Sequence, residues 1–392
     1  MRVLFSVQPA TGHLQPLVPL CRQLAANGHE VKVVSAPSFV PAVASFGLEA
    51  EPLGLDWLRA DAARFFRAAR EMPAEARYIW VLTELYAGET VRRLLPDLER
   101  LAERWCPDLV IRDQMEFAAW LFAERHDIPH VSYGYGLGFQ ERDRRVAGPA
   151  IAERRREAGL APDPELHSLF RHLRFEFAPA CYRPAESRPI PTTRHIRYRP
   201  CDKRRGDRSP EWLGELGGRP LVVATLGTNY NRVPGLFELI IEALAALPVE
   251  VVVTSGDTRA PEDLGPLPRN VRAVSYVPLS ELLPHADAIV CHAGFNTIMT
   301  AALAAVPIVL IPIESDQPLQ AVRCEALGIG RSLARADLTV PGLREVVRDV
   351  LAEPGYRESM AAFRSEIEAL PDLPEVATLL ERLAEEGRLE RA

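Results

Sequence analysis

The chain has 392 residues, 47% of them hydrophobic and 25% charged, with a net charge of −7. That length exceeds what one core usually serves, so two domains are expected. The acidic balance argues against general binding to nucleic acid or an anionic membrane. Six scattered Cys without a C-x-x-C fit a reduced cytoplasm and no Cys zinc site. No apolar run reaches membrane-spanning length, and Met1–Val7 is too short for a signal peptide.

In chain order, Val3–Val7 has the pattern of a buried strand. The turn Gln8-Pro9-Ala10-Thr11-Gly12-His13 follows, then a helix from about Gln15 to Asn27 closed by Gly28. Val31–Ser35 completes a parallel βαβ unit, whose first turn is not G-x-G-x-x-G, so the dinucleotide fingerprint is absent. Asp56 to Arg104 is irregularly helical and carries Trp57, Phe65, Phe66, Tyr78, Trp80 and Tyr86. These are core aromatics or, in part, the lining of a pocket for a flat apolar ligand. Leu109–Arg112 is a strand ending at Asp113, and His130–Tyr133 is another. Gly134-Tyr135-Gly136-Leu137-Gly138 has the wrong spacing for a nucleotide loop and reads as a mobile loop beside a cleft. Glu141–Arg156 and Arg183–Arg208 are Arg-rich and read as solvated faces or linker, with a domain boundary near Cys201–Gly217.

A second βα series then begins. Its strands are Leu221–Thr225, Val249–Thr254, Val271–Ser275, Ala288–Cys291 and Pro307–Ile313, with helices near Pro234–Ala246, Leu279–His285 and Thr297–Ala305. The expected fold is α/β: two doubly wound domains facing each other across a cleft. The tail reads as two amphipathic helices, Tyr356–Leu370 and Glu375–Gly387. Expected limits are 1–205, 206–372, and a helix over 373–392 that crosses back to the N-terminal domain.

Two turns in the second half leave the ligand-binding edge of a parallel sheet. The one at His292 opens a helix, whose N–H groups and positive dipole end suit phosphate. Gly294 would permit close approach, and Asn296 or Thr297 would cap the helix. The other is Glu314-Ser315-Asp316-Gln317.

Several short motifs occur in a specific order. They are Gly12-His13-Leu14-x-Pro16, Pro107 to Asp113, Leu226-Gly227-Thr228, Tyr276-Val277-Pro278-Leu279 with Leu282-Leu283-Pro284, His292-x-Gly294-Phe295-Asn296-Thr297, and Pro312 to Gln317. In this order the chain resembles, over its whole length, the inverting GT-B glycosyltransferases of bacterial natural-product (macrolide and enediyne type) and plant secondary-metabolite metabolism. The resemblance implies that His13 is a general base and Asp113 its partner. An acceptor hydroxyl attacking C1 of an activated sugar must lose a proton, and imidazole accepts one near neutral pH. A carboxylate on the far nitrogen fixes the tautomer.

The leaving nucleoside diphosphate would be met by His292, by N–H groups from Gly294 through Phe295 and Asn296 to Thr297, and by Thr228. Gly12 and Gly227 would line the donor, Val277 would bond the base through its backbone, and Tyr276 would stack on it. Ser255 and Gly256 would contact the nucleoside, and Asp316 and Gln317 the sugar hydroxyls. No cofactor or metal is expected; Glu314-x-Asp316 is the nearest approach to an acidic metal motif. Many relatives carry Glu where this chain has Thr300, so a weaker hold on a ribose favours a dTDP-sugar over a UDP-sugar. The expected partners are that donor, an apolar small-molecule acceptor and, among allowed assemblies, a second copy of the chain.

Plainer readings stand beside these: a histidine that merely starts a helix, a structural aspartate, a buried histidine and ordinary helix caps. Other functions on the same fold are a UDP-sugar or lipid-acceptor transferase, a nucleotide-sugar epimerase, or a non-catalytic transferase partner.

Overall fold

Runs of aliphatic and β-branched residues form two separate parallel sheets, each buried on both faces. The computed structural model describes residues 1–57, 69, 71–184, 187, 189–216, 218–228, 230–256 and 259–391. The chain forms two units: Met1–Ala180 with Ala185–Arg199 and Leu370–Ala392, and Cys181–Pro184 with Pro200–Ala369.

The first unit's strands are β1 (Arg2–Ser6), β2 (Glu30–Ser35), β3 (Ala50–Pro52), β4 (Leu109–Asp113), β5 (His130–Gly134), β6 (Leu173–Glu176) and β7 (Thr193–His195). Their order is β3-β2-β1-β4-β5-β6-β7. The order reverses between β1 and β4, which pair in register from Val3↔Leu109 to Ser6↔Arg112. The second unit has β8 (Leu221–Thr225), β9 (Glu250–Thr254), β10 (Val271–Val274), β11 (Ala288–Cys291), β12 (Ile308–Leu310) and β13 (Gly330–Ser332). Their order is β10-β9-β8-β11-β12-β13, with the reversal between β8 and β11. In such sheets a crevice opens beyond the strand ends at the reversal, because neighbouring crossovers leave on opposite faces.

Each unit has its own core. In the first, Leu4 and Val110 pack with Phe117, Trp120 and Phe122. In the second, Val222, Val251 and Val290 pack with Ile240, Leu244 and Val347. The edge strands β3, β7 and β13 are three residues long, too short to show a period, and the sequence reading omitted them together with β6.

Three sequence expectations change here. The first helix starts at Thr11, not Gln15; it passes through a 3-10 turn at Gln15–Leu17, where Pro16 lacks an N–H, into the helix Val18–Ala26. His13 therefore sits in a helical first turn. The Arg-rich stretch 141–156 is a solvated face only in part: it forms the helix Glu141–Glu157, with Arg142, Arg145 and Arg156 exposed but Arg154 and Arg155 buried. The Arg155 guanidinium bonds Ser168 Oγ and the Ala161 carbonyl and lies over the Trp120 ring. The stretch 183–208 contains β7, and Arg197 and Arg199 pair with Asp372.

Of the aromatics read after Asp56, Trp57 is buried, donates to Gln8 Oε1 at 2.8 Å and meets Tyr86 edge-on. Tyr78 donates to Asp143. Phe65 and Phe66 lie outside the described residues. The tail holds Val340–Ala352, which was not expected, then Pro354–Glu368 and Leu373–Arg391. The last helix belongs to the first unit, where Arg388 pairs with Asp108 and Glu381 with His29. Among the described residues no helix is long and apolar enough to cross a membrane.

Candidate functional site

In the first unit the two central strands lead to His13 and end on Asp113, respectively. Asp113 is the last residue of β4, and its carboxylate is fully buried. Its Oδ2 lies 2.5 Å from His13 Nδ1, while 18% of the His13 side chain is exposed. An ionised carboxylate only accepts, so Nδ1 carries the proton and Nε2 is the nitrogen able to take one up. The other oxygen, Oδ1, accepts from Met115 N at 2.9 Å and from the Tyr135 hydroxyl at 3.2 Å. These donors repay the desolvation of a buried negative charge.

The backbone around the pair is braced. Arg112 is buried and donates to the carbonyls of Asp113, Gln114, Glu116 and Leu169. Burial lowers its pKa to about 10. Glu116 accepts from Ser6 Oγ at 2.7 Å and from the N–H groups of Ala118 and Ala119. It thereby joins the end of β1, which leads to His13, to the loop that holds Asp113. Burial raises the Glu116 carboxyl pKa, and those three bonds oppose the rise. Tyr133 donates to the His13 carbonyl at 3.1 Å.

In the second unit the central strands end on backbone and a neutral ring. His292 follows β11 and is buried. Burial lowers its pKa to about 4. Its Nδ1 has no hydrogen-bond partner among the described residues. The ring is packed between two glycines. A Cβ on Gly227, whose φ is 69°, would lie 2.6 Å from the imidazole Cε1, and one on Gly294 would lie 2.5 Å from Nε2. Both positions therefore exclude a side chain. Ala293, between His292 and Gly294, is left-handed at φ 66°, a conformation that costs a residue with a Cβ about 1 kcal/mol. Backbone strain of this kind gathers where a ligand loop is shaped by its surroundings.

The helix Phe295–Leu303 opens directly from this turn with Gly294 in the cap position. The expected capping by Asn296 or Thr297 is thus corrected: both lie inside the first turn. The N–H groups of Phe295, Asn296 and Thr297 are those that an α-helix leaves at its start. Thr228 adjoins Gly227. Gly256 lies beside Gly227, whose carbonyl a Cβ on Gly256 would meet at 3.3 Å; Asn231 donates to the Ser255 carbonyl at 2.9 Å, and Ser255 Oγ donates to the Arg259 carbonyl.

Two further groups stand on neighbouring strand ends. After β10, Val277 is buried, and the Tyr276 hydroxyl donates to the Asp202 carbonyl. The Arg204 guanidinium lies 4.5 Å from the Tyr276 ring centroid and covers one of its faces. After β12, Ser315 is left-handed at φ 64°. Gln317 Oε1 accepts from the N–H groups of Ile313 and Glu314, and Asp316 Oδ2 accepts from Gln320 Nε2 at 2.8 Å. Asp316 makes no side-chain cap to the helix Gln317–Ala326.

The structure therefore brings His13 together with Asp113, adjacent to Gly12, and Gly227, Gly256, His292 and Gly294 together with their neighbours. The sequence reading placed Tyr135 only within a loop beside a cleft; it missed Glu116 and Arg112 around the pair, and Tyr230, whose ring centroid lies 5.8 Å from that of His292. Glu116 alone left a signal, as an acidic residue just before the helix Ala118–Arg125.

Residues 22–227 match the family model for the N-terminal domain described as Erythromycin biosynthesis protein CIII-like, and residues 238–383 match the model for its C-terminal domain. The chain is 35% identical over 348 residues to L-demethylnoviosyl transferase of Streptomyces niveus, covering 85% of each chain. It is 30% identical over 427 residues to 3-alpha-mycarosylerythronolide B desosaminyl transferase of Saccharopolyspora erythraea, covering 98% of each. Among solved structures it is similar to glycosyltransferase VinC in complex with dTDP, at 30% identity and a TM-score of 0.81, covering 98% of this chain and 100% of that one. The two parallel Rossmann-like sheets and this likeness give the chain the GT-B fold.

Proposed function

The chain belongs to the Erythromycin biosynthesis protein CIII-like family of natural-product glycosyltransferases, and on that premise we propose an inverting, metal-independent transferase that moves a deoxysugar from a dTDP-sugar to a hydroxyl of an apolar acceptor. The observation that carries this reading is the 2.5 Å pairing of His13 Nδ1 with the buried Asp113 carboxylate. His13 Nε2 takes the acceptor's proton as its oxygen attacks C1 of the sugar, and Asp113 stabilises the resulting imidazolium. The bond from C1 to the diphosphate oxygen breaks, and the electron pair leaves with the diphosphate. A single displacement of this kind inverts the configuration at C1.

The second unit supplies the donor side. Negative charge on the diphosphate is met by N–H groups at the start of the helix Phe295–Leu303, by Thr228 and by neutral His292. Val277 and Tyr276 hold the base, with Ser255 and Gly256 beside the nucleoside. Asp316 and Gln317 take the sugar hydroxyls. The dTDP bound to VinC supports the nucleotide, as does Thr300, whose hydroxyl is spent on the Asn296 carbonyl at 2.7 Å.

His13→Ala is the test. Turnover of a dTDP-sugar with acceptor should fall by about a thousandfold or more, with dTDP affinity by calorimetry unchanged. A near-wild-type rate would remove His13 from the chemistry, and clearly tighter binding of UDP than dTDP would remove the dTDP assignment.

A further inference from the structure

The run Gly134-Tyr135-Gly136-Leu137-Gly138 has no part in the reaction as described so far. The structure gives it one. Tyr135 touches both members of the His13–Asp113 pair. Its hydroxyl donates to Asp113 Oδ1 at 3.2 Å, and its ring lies against the His13 imidazole, with centroids 4.1 Å apart and planes inclined by 39°. No other side chain in the described contacts reaches both.

The loop is tied down so that it presents this residue. Gln114, next to Asp113 in sequence, accepts through its carbonyl from Arg112 and donates through Nε2 to the Tyr135 carbonyl at 3.3 Å. Gln114 N donates to the Tyr133 carbonyl at 3.1 Å. The aspartate loop and the tyrosine loop are thus stitched together on both sides of Tyr135. At the far end, Gly138 has φ 76°, and a Cβ there would lie 1.9 Å from Arg174 Nη2. Arg174 is buried and paired with Glu176 at 3.0 Å, so it has no room to yield. Gln140 Nε2 donates to the carbonyls of Leu137 and Gly138 and closes the loop.

We propose that Tyr135 is a positioning residue of the transfer reaction, holding the Asp113 carboxylate and the His13 imidazole in one fixed arrangement. The proposal rests on the reading of His13 as base. With Oδ1 fixed by Tyr135 and Met115 N, Oδ2 faces His13 Nδ1 in a single orientation. The aromatic ring against the imidazole blocks its rotation about the Cβ–Cγ bond, so Nε2 stays directed to one place. Proton transfer depends steeply on such alignment, because only a near-attack geometry converts binding into rate.

The test uses the full-length protein with a dTDP-sugar and an acceptor that it glycosylates. Tyr135→Phe keeps the ring and removes only the hydroxyl. Its kcat should fall about tenfold, as expected for one lost hydrogen bond to a charged group, with KM for donor and acceptor within about twofold of wild type. Asp113→Asn removes the partner that Tyr135 acts on, so Tyr135→Phe should slow the Asp113→Asn protein no further. A Tyr135→Phe enzyme with wild-type kcat overturns the proposal. So does a double variant whose loss is the product of the two single losses, since that is the behaviour of an independent packing residue. His13→Ala, assayed in parallel, separates the two readings. If it turns over normally, the base assignment fails and the role of Tyr135 fails with it. If it is inactive while Tyr135→Phe is unimpaired, the base stands and only the role of Tyr135 is overturned.

Discussion

The two sheets share one topology and end it in opposite ways. In the first unit the strands flanking the order reversal, β1 and β4, lead to a histidine held by a buried carboxylate. In the second the equivalent strands, β8 and β11, lead to a histidine packed between glycines, with no hydrogen-bond partner on Nδ1 among the described residues. The same side chain thus stands in two environments. Burial without a partner keeps His292 neutral. On the proposed function the difference is a division of labour: the unit that handles a proton needs a fixed charge, and the one that receives a diphosphate needs unencumbered donors.

The most direct way to break this comparison is a pair of small substitutions. Asp113→Asn preserves shape and removes charge; kcat should drop by at least about a hundredfold while dTDP binding is kept. Gly294→Ala adds one carbon, 2.5 Å from His292 Nε2, and should weaken dTDP binding by about tenfold or more. Calorimetry and steady-state rates on the same preparations give both numbers. If Asp113→Asn weakens dTDP as strongly as Gly294→Ala does, the labour is not divided.

Much of this was legible in the residues. Both series of βα units showed in their apolar runs, and His13, Asp113, His292 and Gly294 stood in or beside the turns that leave the strands flanking each order reversal. What the sequence concealed has physical reasons. The strands β3, β7 and β13 are too short to carry a period. Arg155 looked solvated, because its burial depends on a helix folding over Trp120, Ser168 and Ala161. Tyr135 is separated from His13 by more than a hundred residues and meets it only because β5 lies beside β4. Such contacts belong to sheet order, which no local pattern encodes.

Acid offers a second way to sharpen the comparison, because each unit carries a buried histidine kept neutral by that burial. His130, fully buried at the start of β5, and His292 both have pKa values lowered from 6.5 to about 4, chiefly by desolvation. A histidine whose folded pKa is depressed binds fewer protons folded than unfolded between those values. Stability therefore rises with pH across that window and is lost as pH falls from 6.5 toward 4. The loss is on the order of 3 kcal/mol per histidine. Urea unfolding followed at pH 7 and pH 4.5 should show it. His130→Gln should flatten the pH dependence of the first unit alone, and an unchanged slope would mean that His130 does not stay neutral.

The smallest expected effect concerns the nucleotide. Thr300 is buried in the helix Phe295–Leu303, and its hydroxyl donates to the Asn296 carbonyl one turn earlier at 2.7 Å. A hydroxyl used this way grips a ribose weakly, so the presence or absence of a 2′-hydroxyl should matter little to the wild-type protein. Thr300→Glu introduces an acceptor long enough to leave the helix surface and bond ribose hydroxyls. The ratio of UDP to dTDP affinity should then rise by about fivefold, the scale of one net hydrogen bond. The ratio, not either affinity alone, is the quantity to follow. A new negative charge near the diphosphate would weaken both nucleotides together and cancel in the ratio. An unchanged ratio in a folded Thr300→Glu protein would show that selection of the nucleotide lies elsewhere, with the turn at Tyr276 and Val277 the next place to look.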